Sequence, residues 1–102
     1  MLIAFIADIH SNLEALQAVL KEIEKRGIEK IFCLGDICGY GANPCECIKL
    51  IKERKIPTIL GNHDLASVTG DTSFFNPVAA RAVVWTSTKL HKDEIEFLSK
   101  LP

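Results

Sequence analysis

The sequence predicts an α/β domain with a parallel βαβαβ core and further helices after it. Three observations lead there. Short apolar runs recur near residues 2–7, 30–34 and 56–60. Each run ends in a cluster of Asp, Gly, Asn or His. Between the runs lie two stretches with helical apolar spacing and N-terminal cap signals. Strands that alternate with helices of this length indicate βαβ units and a parallel sheet.

Residues 2–7 are predicted as the first strand. Ser11-x-x-Glu14 matches a capping box and opens a helix, along which Leu13, Leu16, Leu20 and Ile23 repeat on one face. Gly27 follows the last turn, where glycine commonly closes a helix. The second strand is expected at about 30–34, and it exits at Gly35-Asp36 into the loop Gly39-Tyr40-Gly41. Asn43-Pro44 reads as N-cap and first residue of a helix running to about Lys55. Ile56 to Leu60 is predicted as a third strand, with Gly61-Asn62-His63-Asp64 as its exit. Residues 65–70 are expected to form one or two helical turns. Asn76-Pro77 opens a helix to about Leu90 whose face is Ala79, Ala82, Val83 and Thr86, and residues 93–100 form a last short helix. One domain, 1–102, without an internal boundary, follows from the absence of any linker or repeat.

Composition narrows the function. Of the 102 residues 48% are hydrophobic and 25% charged, and the net charge is −1, an ordinary globular balance. No basic block marks a nucleic-acid surface, and no apolar run approaches the roughly 20 residues of a membrane span. The N-terminal run has no basic flank and meets Asp8 at once, so it reads as a strand and not a leader. Cys33, Cys38, Cys45 and Cys47 form no paired C-x-x-C motif, which argues against a structural zinc site and for reduced thiols in a cytoplasmic protein.

The chemistry sits at the strand exits. In open α/β sheets, ligands bind outside the carboxyl ends of the strands. Three exits deliver Asp8, His10, Asp36, Asn62, His63 and Asp64 to one sheet edge. Carboxylate, imidazole and amide donors together suit ions such as Mn²⁺, Fe²⁺ or Zn²⁺. Asp36, at the central exit, has two oxygens and could bridge two ions, the arrangement that activates water and clamps a phosphate. A nearby histidine could protonate the leaving oxygen.

The motifs Asp8-Ile9-His10, Gly35-Asp36-Ile37-Cys38-Gly39-Tyr40-Gly41 and Gly61-Asn62-His63-Asp64, in this order, resemble the fingerprint of the calcineurin-like metallophosphoesterases. Ser11-Asn12-Leu13-Glu14-Ala15-Leu16 and Ala82-Val83-Val84-Trp85-Thr86 resemble its bacterial and archaeal phosphodiesterase branch. The resemblance implies the N-terminal half of a two-sheet α/β sandwich. It implies that Asp8 and His10 hold a first metal, that Asp36 bridges, and that Asn62 holds a second metal and touches substrate phosphate. It further implies that His63 contacts phosphate and acts as general acid, and that Asp64 orients His63 by a hydrogen bond.

The function expected on this resemblance is a metal-dependent phosphoesterase, foremost a phosphodiesterase, with two divalent ions and a metal-bound hydroxide. Mn²⁺ is the first choice, with Fe, Zn, Ni or Mg as alternatives. Family members are longer, and their second half adds a lone histidine and a G-H-x-H motif. His91 matches neither and reads as a solvated helix residue. The second metal site is therefore expected to be incomplete in this chain. The alternative is a non-catalytic half-domain that binds metal, phosphate or a partner, or a fragment that needs its second half. A second copy or a C-terminal-half partner is expected to cover the open sheet. A dinucleotide binder is disfavoured, because no G-x-G-x-x-G follows the first strand. Tyr40, Trp85, Phe74 and Phe75 are candidates for lining a substrate pocket, against a packing role for each.

Overall fold

The computed structural model describes residues 2–102. Its elements in order are β1 (Ile3–Ile6), α1 (Leu13–Lys25), β2 (Lys30–Cys33), α2 (Pro44–Glu53), α3 (Asn62–Thr69), α4 (Pro77–Lys89) and α5 (Lys92–Ser99). β1 and β2 pair in parallel, from Ile3 opposite Lys30 to Ile6 opposite Cys33. The α1 crossover between them buries Leu16, Leu20 and Ile23, three of the four residues whose spacing predicted the helix. Each such aliphatic side chain removed from water contributes about 2 kcal/mol.

The helix starts show how local chemistry sets boundaries. Asn12, not Ser11, caps α1: its Oδ1 accepts the Ala15 N–H at 3.1 Å. Ser11 lies one residue too early, fully buried and with φ at 61°. Asn43-Pro44 and Asn76-Pro77 do open helices, and Asn76 Oδ1 accepts the Ala79 N–H at 2.9 Å. His91 is the N-cap of α5 and not a helix residue.

The expected third strand is reduced to a single parallel bridge between Cys33 and Thr58. Cys33 N–H donates to Pro57 O at 2.8 Å, and Ile59 N–H donates to Cys33 O at 3.1 Å. The next rung on one side would need the amide of residue 57, which is proline and has no N–H. On the other side the rung is already spent. Gly61 N–H goes to Asp64 Oδ2, and Gly35 O accepts from Asp8 N–H. The exit after this segment also differs from a plain loop, because Asn62, His63 and Asp64 form the first turn of α3.

The helices cover one sheet face. Ile6 and Cys33 point into a core with Leu16, Leu20, Ile48, Ile51 and Leu98. On the opposite face Phe5 stacks on Phe32 with centroids 5.8 Å apart, and Ile3, Phe5, Leu34 and Ile59 stay exposed. Among the described residues no helix is long and apolar enough to cross a membrane.

Candidate metal centre

The loops leaving β1 and β2 are zipped together beyond the strands. Asp8 N–H donates to Gly35 O, His10 N–H to Asp36 O at 3.0 Å, and Ser11 N–H to Ile37 O at 2.8 Å. Within this pairing Asp8, His10 and Asp36 adopt left-handed backbone conformations, with φ of 54°, 48° and 57°. Non-glycine residues rarely sit there, and Asp and His tolerate it better than most. Strain of this kind persists where the surrounding structure over-determines it, commonly at functional sites.

The zipped loops bring side-chain donors of Asp8, His10 and Asp36 within 4.8 Å of one another. His10 Nε2 stands 3.5 Å from Asp8 Oδ1. On the far side of the ring, His10 Nδ1 lies 3.1 Å from Cys38 O. A carbonyl only accepts, so Nδ1 carries a proton and is engaged by Cys38 O, which leaves Nε2, on the Asp8 side, as the nitrogen available to a cation. This is the outer support that metal-bound histidines use to fix their tautomer. Two carboxylates and one correctly presented imidazole therefore fit a divalent cation.

α3 supplies the other half of the site. Asp36 Oδ1 accepts the His63 backbone N–H at 2.9 Å. Gly61, just before, packs so closely that a Cβ there would collide with Asp36 N and Oδ1. The His63 ring is buried against His10, Tyr40 and Phe75, with centroids 4.7, 4.9 and 4.9 Å away. Gly39, at φ +94°, lies directly on its Nδ1, and no other residue fits there. Burial pushes the His63 imidazole below its usual range, with Asp36 pulling the other way. Burial likewise pushes the Asp36 carboxyl up, opposed by the His63 N–H.

The expected hydrogen bond between Asp64 and His63 is not made. Asp64 is fully buried, and its oxygens are taken by other donors. Oδ2 accepts from Asp36 N–H at 2.9 Å and from Gly61 N–H at 3.1 Å. Oδ1 accepts from Cys38 N–H at 3.1 Å and from Cys38 Sγ at 3.2 Å. His63 Nδ1 is buried with no partner among the described residues. Asp64 thus positions the loop after β2 and touches no solvent.

Asn62 is exposed at the start of α3, where it lines a cavity of about 500 Å³ with His63, Tyr40, Phe74 and Phe75. Trp85 lies elsewhere, on the outer side of α4 under Lys89. Sequence reasoning missed Cys38, whose carbonyl orients His10 and whose N–H and thiol hold Asp64. The available signal was its place two residues after Asp36.

The chain matches the family described as calcineurin-like phosphoesterase over residues 1–102. It belongs to that family. Calcineurin-like phosphoesterases are hydrolases that use divalent metal ions, in keeping with the Asp8, His10 and Asp36 donor group. Uncharacterized protein MJ0912 of Methanocaldococcus jannaschii is 52% identical over 103 residues, which is 99% of this chain and 42% of that protein. The crystal structure of a metallophosphoesterase from Sphaerobacter thermophilus superposes with a TM-score of 0.80 at 39% identity, over 98% of this chain and 40% of that one. A further solved chain, provisionally named a diadenosine tetraphosphatase, has the same fold at 23% identity and a TM-score of 0.76, over 96% of this chain and 41% of that one. The chain thus spans about two fifths of the length of these relatives.

Proposed function

We propose that this chain carries the metal- and phosphate-holding part of a phosphodiesterase with a dinuclear centre. The observation that carries the reading is the His10 ring, held by Cys38 O with Nε2 toward Asp8, in one donor group with Asp36. Asp8, His10 and Asp36 would hold the first ion, and Asp36 and Asn62 would be the residues available to a second. Mn²⁺ suits this oxygen-rich set with one imidazole. Such ions, when bound, supply an activated water and neutralise phosphate charge. Asn62 and His63 contact the phosphate, and His63 gives its proton to the leaving oxygen. The cavity beside His63 supports a diester, since Tyr40, Phe74 and Phe75 offer an apolar wall to a second organic group. The uncovered face around Phe5 and Ile59 is proposed as the surface taken by a second copy or by a C-terminal segment.

The experiment is hydrolysis of bis(p-nitrophenyl) phosphate and p-nitrophenyl phosphate by the Mn²⁺-loaded chain, with Asp36→Ala alongside. Diester turnover above monoester turnover, lost in Asp36→Ala, is expected. Metal binding without turnover of either ester would instead support the non-catalytic half-domain, a reading favoured by the strand exits, where the clustered donors Asp8, His10 and Asp36 make a single group.

A further inference from the structure

A second group of metal-type donors lies on different elements. Cys45 stands in the first turn of α2, His91 caps α5, and Glu94 is in the first turn of α5. Their donor atoms lie within 4.8 Å of one another. Cys45 Sγ is 3.7 Å from His91 Nδ1, and His91 Nδ1 is 2.9 Å from Glu94 Oε1. Thiolate sulfur and imidazole nitrogen on one tetrahedral Zn²⁺, at 2.3 and 2.0–2.1 Å, are separated by about 3.6 Å. The sulfur–nitrogen distance is already that of a shared ion.

We propose that Cys45, His91 and Glu94 form a second site, for a borderline divalent cation of the Zn²⁺ type. The donor set of one thiolate, one imidazole and one carboxylate is the set that Zn²⁺ takes, and it differs in softness from the oxygen-rich strand exits. The helix start arranges two of the donors. His91 and Glu94 are three residues apart, and the Glu94 side chain folds back onto the His91 N–H at 3.1 Å. The third arrives from a residue 46 positions earlier. The three donors open on a groove of about 590 Å³ between α2 and α5, and the His91 side chain is 79% exposed, so an ion reaches them from solvent with room for a water ligand. Binding releases the Cys45 thiol proton to solvent, frees Lys89 O from the thiol, and shifts the His91 proton from Nδ1 to Nε2. The bound ion would pin the start of α2 to the α4–α5 corner.

The test is titration of the Asp36→Asn chain with Co²⁺, which replaces Zn²⁺ and reports thiolate ligation as a near-ultraviolet charge-transfer band. Cys33, Cys38 and Cys47 are at most 1% exposed, so the band reports Cys45. One equivalent of Co²⁺ giving the band, its displacement by Zn²⁺, and its loss in Cys45→Ser and His91→Ala are expected. No band, or a band that persists in Cys45→Ser, overturns the proposal. In the unaltered chain, Zn²⁺ should also slow alkylation of Cys45, located by peptide mapping. Equal rates with and without Zn²⁺ overturn it as well, whatever the variants do.

Discussion

The Asp36 backbone N–H donates to Asp64 Oδ2 at 2.9 Å, so the loop after β2 hangs on a carboxylate buried in α3. The same carboxylate holds Gly61 and Cys38. Through Cys38 O it also bears on the His10 ring. One buried side chain therefore ties the β2 exit, the α3 start and the orientation of the His10 ring into a single unit.

Asp64→Ala leaves the N–H groups of Asp36, Cys38 and Gly61 without their acceptor. Each hydrogen bond to a charged group is worth about 1.5–3 kcal/mol, so a loss of about 3 kcal/mol or more is expected. Urea unfolding followed by circular dichroism measures it. A midpoint equal to that of the unaltered chain would show that Asp64 does not hold the loop.

Gly61→Ala places a methyl group against Asp36 N and Oδ1. The carboxylate has to move, and Mn²⁺ affinity by calorimetry is expected to fall about 10- to 100-fold, the usual cost of disturbing a ligand's support. Unchanged affinity would mean that the Asp36 geometry is not set by this contact.

His63→Ala removes the proposed proton donor. The loss should depend on the leaving group: about 10²- to 10⁴-fold for an alkyl ester, and much less for p-nitrophenolate, which leaves without help. An equal loss on both esters would assign His63 to phosphate binding and not to proton transfer.

Glu94 gives a pH signature in the chain held metal-free with chelator. Partial burial works against its carboxylate, but the adjoining Cys45 thiol and the His91 ring and N–H outweigh it and bring its pKa from 4.5 down to about 2. The folded value is below the unfolded one, so the stabilisation is present above about pH 4.5 and is lost as pH falls toward 2. In Glu94→Gln that acid-side decline should shrink. Parallel urea midpoints for the two chains across pH 5 to about 2 would refute the assignment.

Phe5→Lys places a charge on the uncovered sheet face, where Phe5 is 64% exposed. Apolar patches of this kind mark association surfaces. Sedimentation should show concentration-dependent association of the unaltered chain and its reduction in the variant. A chain that stays monomeric at all concentrations would remove self-association from the reading.

Much of this arrangement is legible in the residues. Leu16, Leu20 and Ile23 announce α1 because burial follows the helical period, and the two Asn-Pro pairs mark helix starts because proline suits only that position. The three strand exits are also visible, since Asp, Asn, His and Gly cluster where the backbone leaves the sheet. What escapes is set by partners distant in sequence. Pro57 looks compatible with a strand until the missing amide is placed opposite Ile31. Ser11 satisfies a capping pattern that Asn12, one residue later, fulfils in space. The carboxylate of Asp64 adjoins His63 in sequence yet serves Asp36 and Cys38, 28 and 26 residues away. Cys45 and His91 meet only because α2 packs on α5, a contact no local spacing encodes.

The left-handed backbone at Asp8, His10 and Asp36 has one more consequence. Loops that wrap around an ion adjust their span to its radius, whereas here the span is decided when the two exits zip together. The aperture between the donors is thus a property of the fold, inherited before any ion arrives. An ion held by Asp8, His10 and Asp36 would meet donors already spaced by the fold, and its size, not the closing of a loop around it, would decide how well it fits.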